Sequence, residues 1–113
     1  MQNLFSVQDK VVVVTGGSRG IGEMIAAGYL ANGAKVYITS RKADVCDATA
    51  ARLMETYGGE CVSIPADMAT LAGIEGFVSE FRTRETHLDV LVNNAGVAWG
   101  APLEDFPEVG WDK

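Results

Sequence analysis

Cysteine, histidine and proline are all scarce in this chain of 113 residues, at two, one and three copies. Cys46 and Cys61 form no CxxC pair and His87 stands alone, so neither a disulfide framework nor a Cys/His zinc site can be assembled. Two reduced thiols fit a cytoplasmic protein. No run of about 18 apolar residues occurs, which excludes a membrane-spanning helix. The opening MQNLFSVQDK carries Asp9 and no apolar core, unlike a secretory signal. Positive charge is short as well: nine Lys and Arg stand against fifteen Asp and Glu, a net charge of −6. A nucleic-acid surface needs a basic face to neutralise phosphate, so that partner class is set aside.

Apolar residues and glycine are what the chain has in quantity. Apolar side chains make up 48% of it, enough to bury a core and to argue against disorder. Thirteen glycines in 113 residues exceed the usual share of ~7%, which points to tight turns or close backbone approaches. The length suits one domain and leaves no room for two.

Four short apolar runs, rich in β-branched residues, read as strands: Val11 to Val14, Val36 to Ile38, Cys61 to Ile64 and Leu88 to Val92. Three of them are too continuous for half-wet strands, and together they suit a parallel sheet covered on both faces; the third alternates enough to suit an edge. Between them lie three segments of helical period. Their stripes are Ile21, Ile25 and Tyr29; then Cys46, Ala50, Leu53 and Tyr57; then Leu71, Ile74, Val78 and Phe81. Asn32-Gly33, Gly58-Gly59 and the polar stretch from Thr83 to His87 are plausible stops. Strand–helix alternation with short connections means right-handed crossovers, hence an α/β fold with a Rossmann-type, doubly wound parallel sheet. Glu108 to Lys113 looks like a fourth helix barely begun, and a sheet stopping at its fourth strand leaves an apolar edge. Residues 1–113 are therefore expected to be the N-terminal, dinucleotide-binding portion of one domain, incomplete at its C-terminal side.

The chemistry concentrates in Thr15-Gly16-Gly17-Ser18-Arg19-Gly20-Ile21-Gly22, which joins the first strand to the first helix. A turn that needs positive φ would explain the glycines by itself. At this place, however, free N–H groups and the positive end of the helix dipole make an anion site, and glycine lets a diphosphate approach the backbone. The TGxxxGxG spacing of Gly16, Gly20 and Gly22 lacks the Lys-Ser/Thr of a P-loop, which favours a dinucleotide over a hydrolysed triphosphate. A carboxylate after the second strand would bind a ribose 2′-hydroxyl, whereas arginine accommodates a 2′-phosphate. The chain has Thr39-Ser40-Arg41-Lys42 there, with no carboxylate. Arg19, Arg41 and Lys42 can converge at the carboxyl ends of the strands, so NADP(H) is expected rather than NAD(H); the competing reading is ordinary solvated charge.

These residues resemble the short-chain dehydrogenase/reductase family. TGGSRGIG matches its glycine turn, Pro65-Ala66-Asp67-Met68 the segment after its third strand, and Asn93-Asn94-Ala95-Gly96 its NNAG motif, over Lys10 to Lys113. Within the family the likeness leans to microbial reductases of the 3-oxoacyl-[acyl-carrier-protein] type. The resemblance implies that Ser18, Arg19, Gly20 and Ile21 wrap the cofactor phosphates and ribose, while Ser40 and Arg41 contact the 2′-phosphate. It implies that Asp67 accepts from the adenine amino group with the Met68 backbone alongside. Asn94 and Gly96 would then line the ribose floor, while Asn93 mainly ties strands together. Asp67 as a helix N-cap and Asn93-Asn94 as a plain turn stay open beside these roles. Trp99 and Trp111 read as packing or interface aromatics.

The family reduces carbonyls with a YxxxK tyrosine and lysine, a serine upstream and an assisting asparagine, and its catalytic tyrosine follows the NNAG segment. Four residues after Tyr29, Tyr37 and Tyr57 stand Gly33, Arg41 and Cys61, and all three tyrosines precede Asn93. No catalytic residue is assigned, and the chain alone is expected to be inactive. The full-length parent would be an NADP-dependent oxidoreductase acting on a small carbonyl or alcohol, and a homo-oligomer. A non-catalytic dinucleotide-sensing module is the alternative. An S-adenosylmethionine site is disfavoured by Ser40-Arg41, where that class usually places an acid.

Overall fold

The computed structural model of the protein describes residues 7–18 and 20–94. Arg19, Gly96, Trp99, Trp111 and the expected start of a fourth helix lie outside the described residues. Among the described residues four strands, β1 (Val11–Thr15), β2 (Lys35–Thr39), β3 (Cys61–Ser63) and β4 (Val90–Asn93), alternate with three helices, α1 (Gly20–Ala31), α2 (Ala43–Tyr57) and α3 (Leu71–Arg82). All neighbouring strands are parallel, in the order β3-β2-β1-β4, with β3 at an edge as its alternation suggests. The chain leaves β1 toward β2 and β3, then crosses back to place β4 on the other side of β1. In such sheets ligand crevices form outside the carboxyl ends of the strands, at the point where the order reverses.

Both faces are covered, which explains the unbroken apolar runs. Successive side chains of a strand point to opposite faces. Val11, Val13 and Tyr37 therefore pack with Ile74, Phe77, Val78 and Phe81 of α3. Val12, Val14, Val36 and Ile38 pack with Ala26 and Leu30 of α1 and with Cys46, Ala50 and Leu53 of α2. The Tyr37 and Phe81 rings meet edge to face, with centroids 4.8 Å apart. Both cysteines are free and buried, and desolvation pushes the Cys61 thiol up to about 12, so it stays protonated at neutral pH.

The helix faces correct the sequence reading in part. On α1 the buried residues are Gly22, Ala26 and Leu30, one position round from the expected stripe; Ile21 is 67% exposed, while Ile25 and Tyr29 only flank the core. The reason is close approach: the helix lies so near the sheet that its inner face admits glycine and alanine, residues too small to mark an apolar stripe. On α2, Cys46, Ala50 and Leu53 are buried as expected, but Tyr57 is exposed. On α3, Leu71 is exposed and Phe77 joins Ile74, Val78 and Phe81 inside.

The amino-terminal edge of the sheet is closed by charge. Asp89 accepts the Val11 N–H at 2.8 Å while its own N–H donates to the Val11 carbonyl at 2.9 Å, so β4 begins one residue later, at Val90. That backbone hydrogen bond, with His87 and Lys10 nearby, holds the Asp89 carboxyl below its ordinary value despite partial desolvation. Glu85 accepts the Tyr37 hydroxyl at 2.6 Å and pairs with Lys35, whose ammonium also lies 5.7 Å from the Tyr37 ring centre. Burial works to raise the Glu85 pKa, but hydrogen bonds from Lys35 and Tyr37 outweigh it and leave the carboxyl lowered. Lys35 is raised, chiefly by its bond to Glu85. The Tyr37 phenol is pushed up to about 12 by desolvation first, then by Glu85.

Glu85→Gln is expected to cost about 1–2 kcal/mol at neutral pH. Glu85, held below its usual 4.5, adds stability above that value and loses it as the pH falls through the lowered folded value. Lys35, held above 10.5, adds stability below that value and loses it as the pH rises through the raised one. Denaturant melts should thus show a gap between wild type and variant that is widest between these limits and narrows beyond both. A gap independent of pH would refute the ion-pair account.

Candidate functional site

The turn from β1 into α1 is built by absent side chains. Gly16 and Gly20 take left-handed φ values of 66° and 63°, which glycine adopts without steric penalty. A Cβ on Gly22 would lie 2.1 Å from the Gly16 carbonyl oxygen, so only glycine lets α1 start this close to the end of β1. Gly17 is also constrained, since its Cβ would meet Ile38 Cγ2 at 2.7 Å. The turn is pinned to β2 as well, through the Gly16 N–H donating to the Thr39 carbonyl at 2.9 Å. The first N–H groups of α1 have no partner within the helix, and they open beside this turn.

The carboxyl end of β2 forms the facing rim. Gly16, Ser18, Ser40, Arg41, Asp67 and Met68 line one crevice of about 490 Å³, together with Thr39, Lys42, Val45, Ala66 and Ala69. Lys42 is the N-cap residue of α2 and makes no side-chain capping bond. A helix start favours anions, and Asp44 in the first turn supplies one, yet Arg41 and Lys42 add two exposed cations at the same end. The hydroxyls of Thr39 and Ser40 are buried without a hydrogen-bond partner among the described residues. Orphaned donors beside a cationic, uncapped helix end suit a ligand rich in acceptor oxygens.

Asp67 lines the same crevice. One carboxylate oxygen accepts the Ala69 N–H at 3.0 Å. The N-cap of α3 is Thr70, which accepts the Gly73 N–H at 3.0 Å, so the capping role left open for Asp67 belongs to Thr70. Met68 turns its side chain into the core on the α3 face. The close approach of this segment to α3 depends on Gly73, whose Cβ would stand 1.9 Å from the Asp67 carbonyl oxygen.

At the end of β4, the Thr15 hydroxyl donates to Asn93 Oδ1 at 3.1 Å and accepts the Asn94 N–H at 2.9 Å, which ties β4 to β1. Asn94 Nδ2 reaches the Gly16 carbonyl at 3.4 Å, beside the glycine turn but outside the crevice lining. Gly20, Ile21 and Gly22 also do not line the crevice; they shape the turn above it. Sequence reasoning missed Gly17, Thr39, Val45 and Gly73. The glycine-rich turn gave a signal for Gly17, and a glycine just inside a helix gave one for Gly73. A buried threonine has no such signature.

The family profile described as short chain dehydrogenase matches residues 10–113. A rhamnolipids biosynthesis 3-oxoacyl-[acyl-carrier-protein] reductase of Pseudomonas aeruginosa is 48% identical over the whole chain, which covers 43% of that protein. Among solved structures, the Pseudomonas aeruginosa RhlG/NADP active-site complex superposes with a TM-score of 0.79 at 43% identity, over 96% of this chain and 42% of that one. L-sorbose reductase from Gluconobacter frateurii, complexed with NADPH and L-sorbose, gives 0.77 at 36% identity, over 81% of this chain and 35% of that one. The chain thus spans less than half the length of these relatives.

Two glycines of α1 provide a paired test. Gly22→Ala is expected to destabilise by at least about 2–3 kcal/mol, because backbone must move to admit the methyl. Gly28, where an added Cβ meets nothing within 4 Å, should gain about 0.5–1 kcal/mol as alanine. Urea melts of the two variants check this, and similar effects at both positions would refute the close-approach argument.

Proposed function

Since the chain belongs to the short chain dehydrogenase family, we propose that it binds NADP(H) across the glycine turn and the β2 rim. The observation that carries this reading is Arg41 and Lys42 standing with the orphaned Ser40 hydroxyl at the uncapped start of α2, in the same crevice as Gly16 and Ser18. Ser18, Arg19, Gly20 and Ile21 hold the diphosphate and adjoining ribose, with Gly16 and Gly22 keeping the backbone clear. Ser40 donates to the 2′-phosphate and Arg41 grips it through its guanidinium fork, with Lys42 as a further point charge. Asp67 keeps one carboxylate oxygen for the adenine amino group, and the Met68 backbone lies alongside. Asn94 and Gly96 support the ribose beyond β4.

The bound nucleotide would supply a hydride for a carbonyl, or accept one from an alcohol, with a 3-oxoacyl group as the substrate class suggested by the Pseudomonas aeruginosa relative. The residues of this chain bind and orient. None of its tyrosines stands in a YxxxK pattern, and we assign no proton-transferring residue among the 113. The chain by itself is expected to bind nucleotide without turning it over. Buried, reduced cysteines fit a cytoplasmic setting.

Arg41→Asp replaces the grip on the 2′-phosphate with a repelling carboxylate. Titration calorimetry should show NADPH binding weakened by about 10–100-fold and NADH binding changed by less than about threefold. Equal losses for both nucleotides would refute the assignment, as would wild-type protein that binds neither.

A further inference from the structure

Thr49 sits in the middle of α2, 1% exposed, and does not line the crevice. A threonine hydroxyl within a helix commonly bonds back to the carbonyl of the preceding turn. Thr49 instead donates to the carbonyl oxygen of Ser18, 2.8 Å away and 31 residues earlier in the chain, inside the glycine turn. Ser18 is itself buried and forms part of the crevice wall.

We propose that Thr49 is a positioning residue for the diphosphate end of the site. Carbonyl oxygens are the wrong groups to present to an anion. By drawing the Ser18 oxygen into the packing between the turn and α2, Thr49 keeps an acceptor from facing the diphosphate and leaves the donor side of the turn turned toward it. The helix that carries this hydroxyl is the one whose N-cap is Lys42, and Val45, one turn before Thr49, lines the crevice. A single rigid element therefore fixes the spacing between the diphosphate turn and the rim that receives the 2′-phosphate. This inference rests on the NADP(H) reading and adds a residue that touches no ligand atom.

The test compares wild type, Thr49→Val and Thr49→Ser for two ligands, NADPH and adenosine 2′-monophosphate, which lacks the diphosphate. Thr49→Val keeps the shape and removes the donor; it should weaken NADPH binding about tenfold, or ~1.4 kcal/mol, while adenosine 2′-monophosphate changes less than about twofold. Thr49→Ser, which restores the hydroxyl, should bind both ligands within about twofold of wild type. The proposal is overturned if Thr49→Val binds NADPH as wild type does, if it loses both ligands equally, or if serine fails to restore NADPH binding. Should the valine variant not fold, Thr49→Ala against Thr49→Ser makes the same comparison, with the same outcomes deciding it. Wild-type protein that binds no NADPH would overturn the cofactor reading itself, a result distinct from any of these.

Discussion

The contact between Gly22 and the carbonyl of Gly16 governs this molecule. With no Cβ at residue 22, the first turn of α1 lies directly against the end of β1. That closeness sets the small residues of the inner helix face and the outward turn of Ile21. It also brings the positive end of the helix dipole to the carboxyl edge of the sheet, where strand order reverses. The crevice is what remains between this turn, the rim after β2 and the segment carrying Asp67.

Charge is distributed with the same economy. An acidic chain places two of its nine cations together at the start of α2, where a helix would by itself prefer anions. Exposed charges add little to folding, and a cationic cluster at a helix start subtracts from it. Under the proposed function its value lies in the phosphate it binds. At the opposite edge of the sheet, charges are paired and partly buried: Glu85 joins Lys35 to Tyr37, and Asp89 joins β4 to β1. One edge is satisfied internally, while the other keeps polar groups in reserve.

The strands themselves and the covered sheet were legible in the sequence because β-branched runs such as Val11 to Val14 carry their burial in composition, whereas the order β3-β2-β1-β4 came only with the structure. The glycine turn was legible through its spacing, as was the missing carboxylate after Thr39. The register of α1 was not, because Gly22 and Ala26 fill the inner face without looking apolar, whereas Ile21 looks buried and is not. Nor did the pattern reveal that Thr70 caps α3 while Asp67 bonds the nearer Ala69 N–H, since both residues suit either turn. Interactions between distant residues, such as Thr49 with Ser18 or Tyr37 with Glu85, leave no periodic trace. They arise from three-dimensional proximity that no local pattern encodes.

The brevity of β3 has a consequence for association. Its outer edge offers backbone groups over only three residues, Cys61–Ser63, and Pro65 follows two positions later without an N–H to donate. Ser63 is further engaged by Asp47 from α2. An extended peptide seeking to zip onto this side would run out of ladder within a few residues, so the β3 edge carries its own guard against edge-to-edge aggregation.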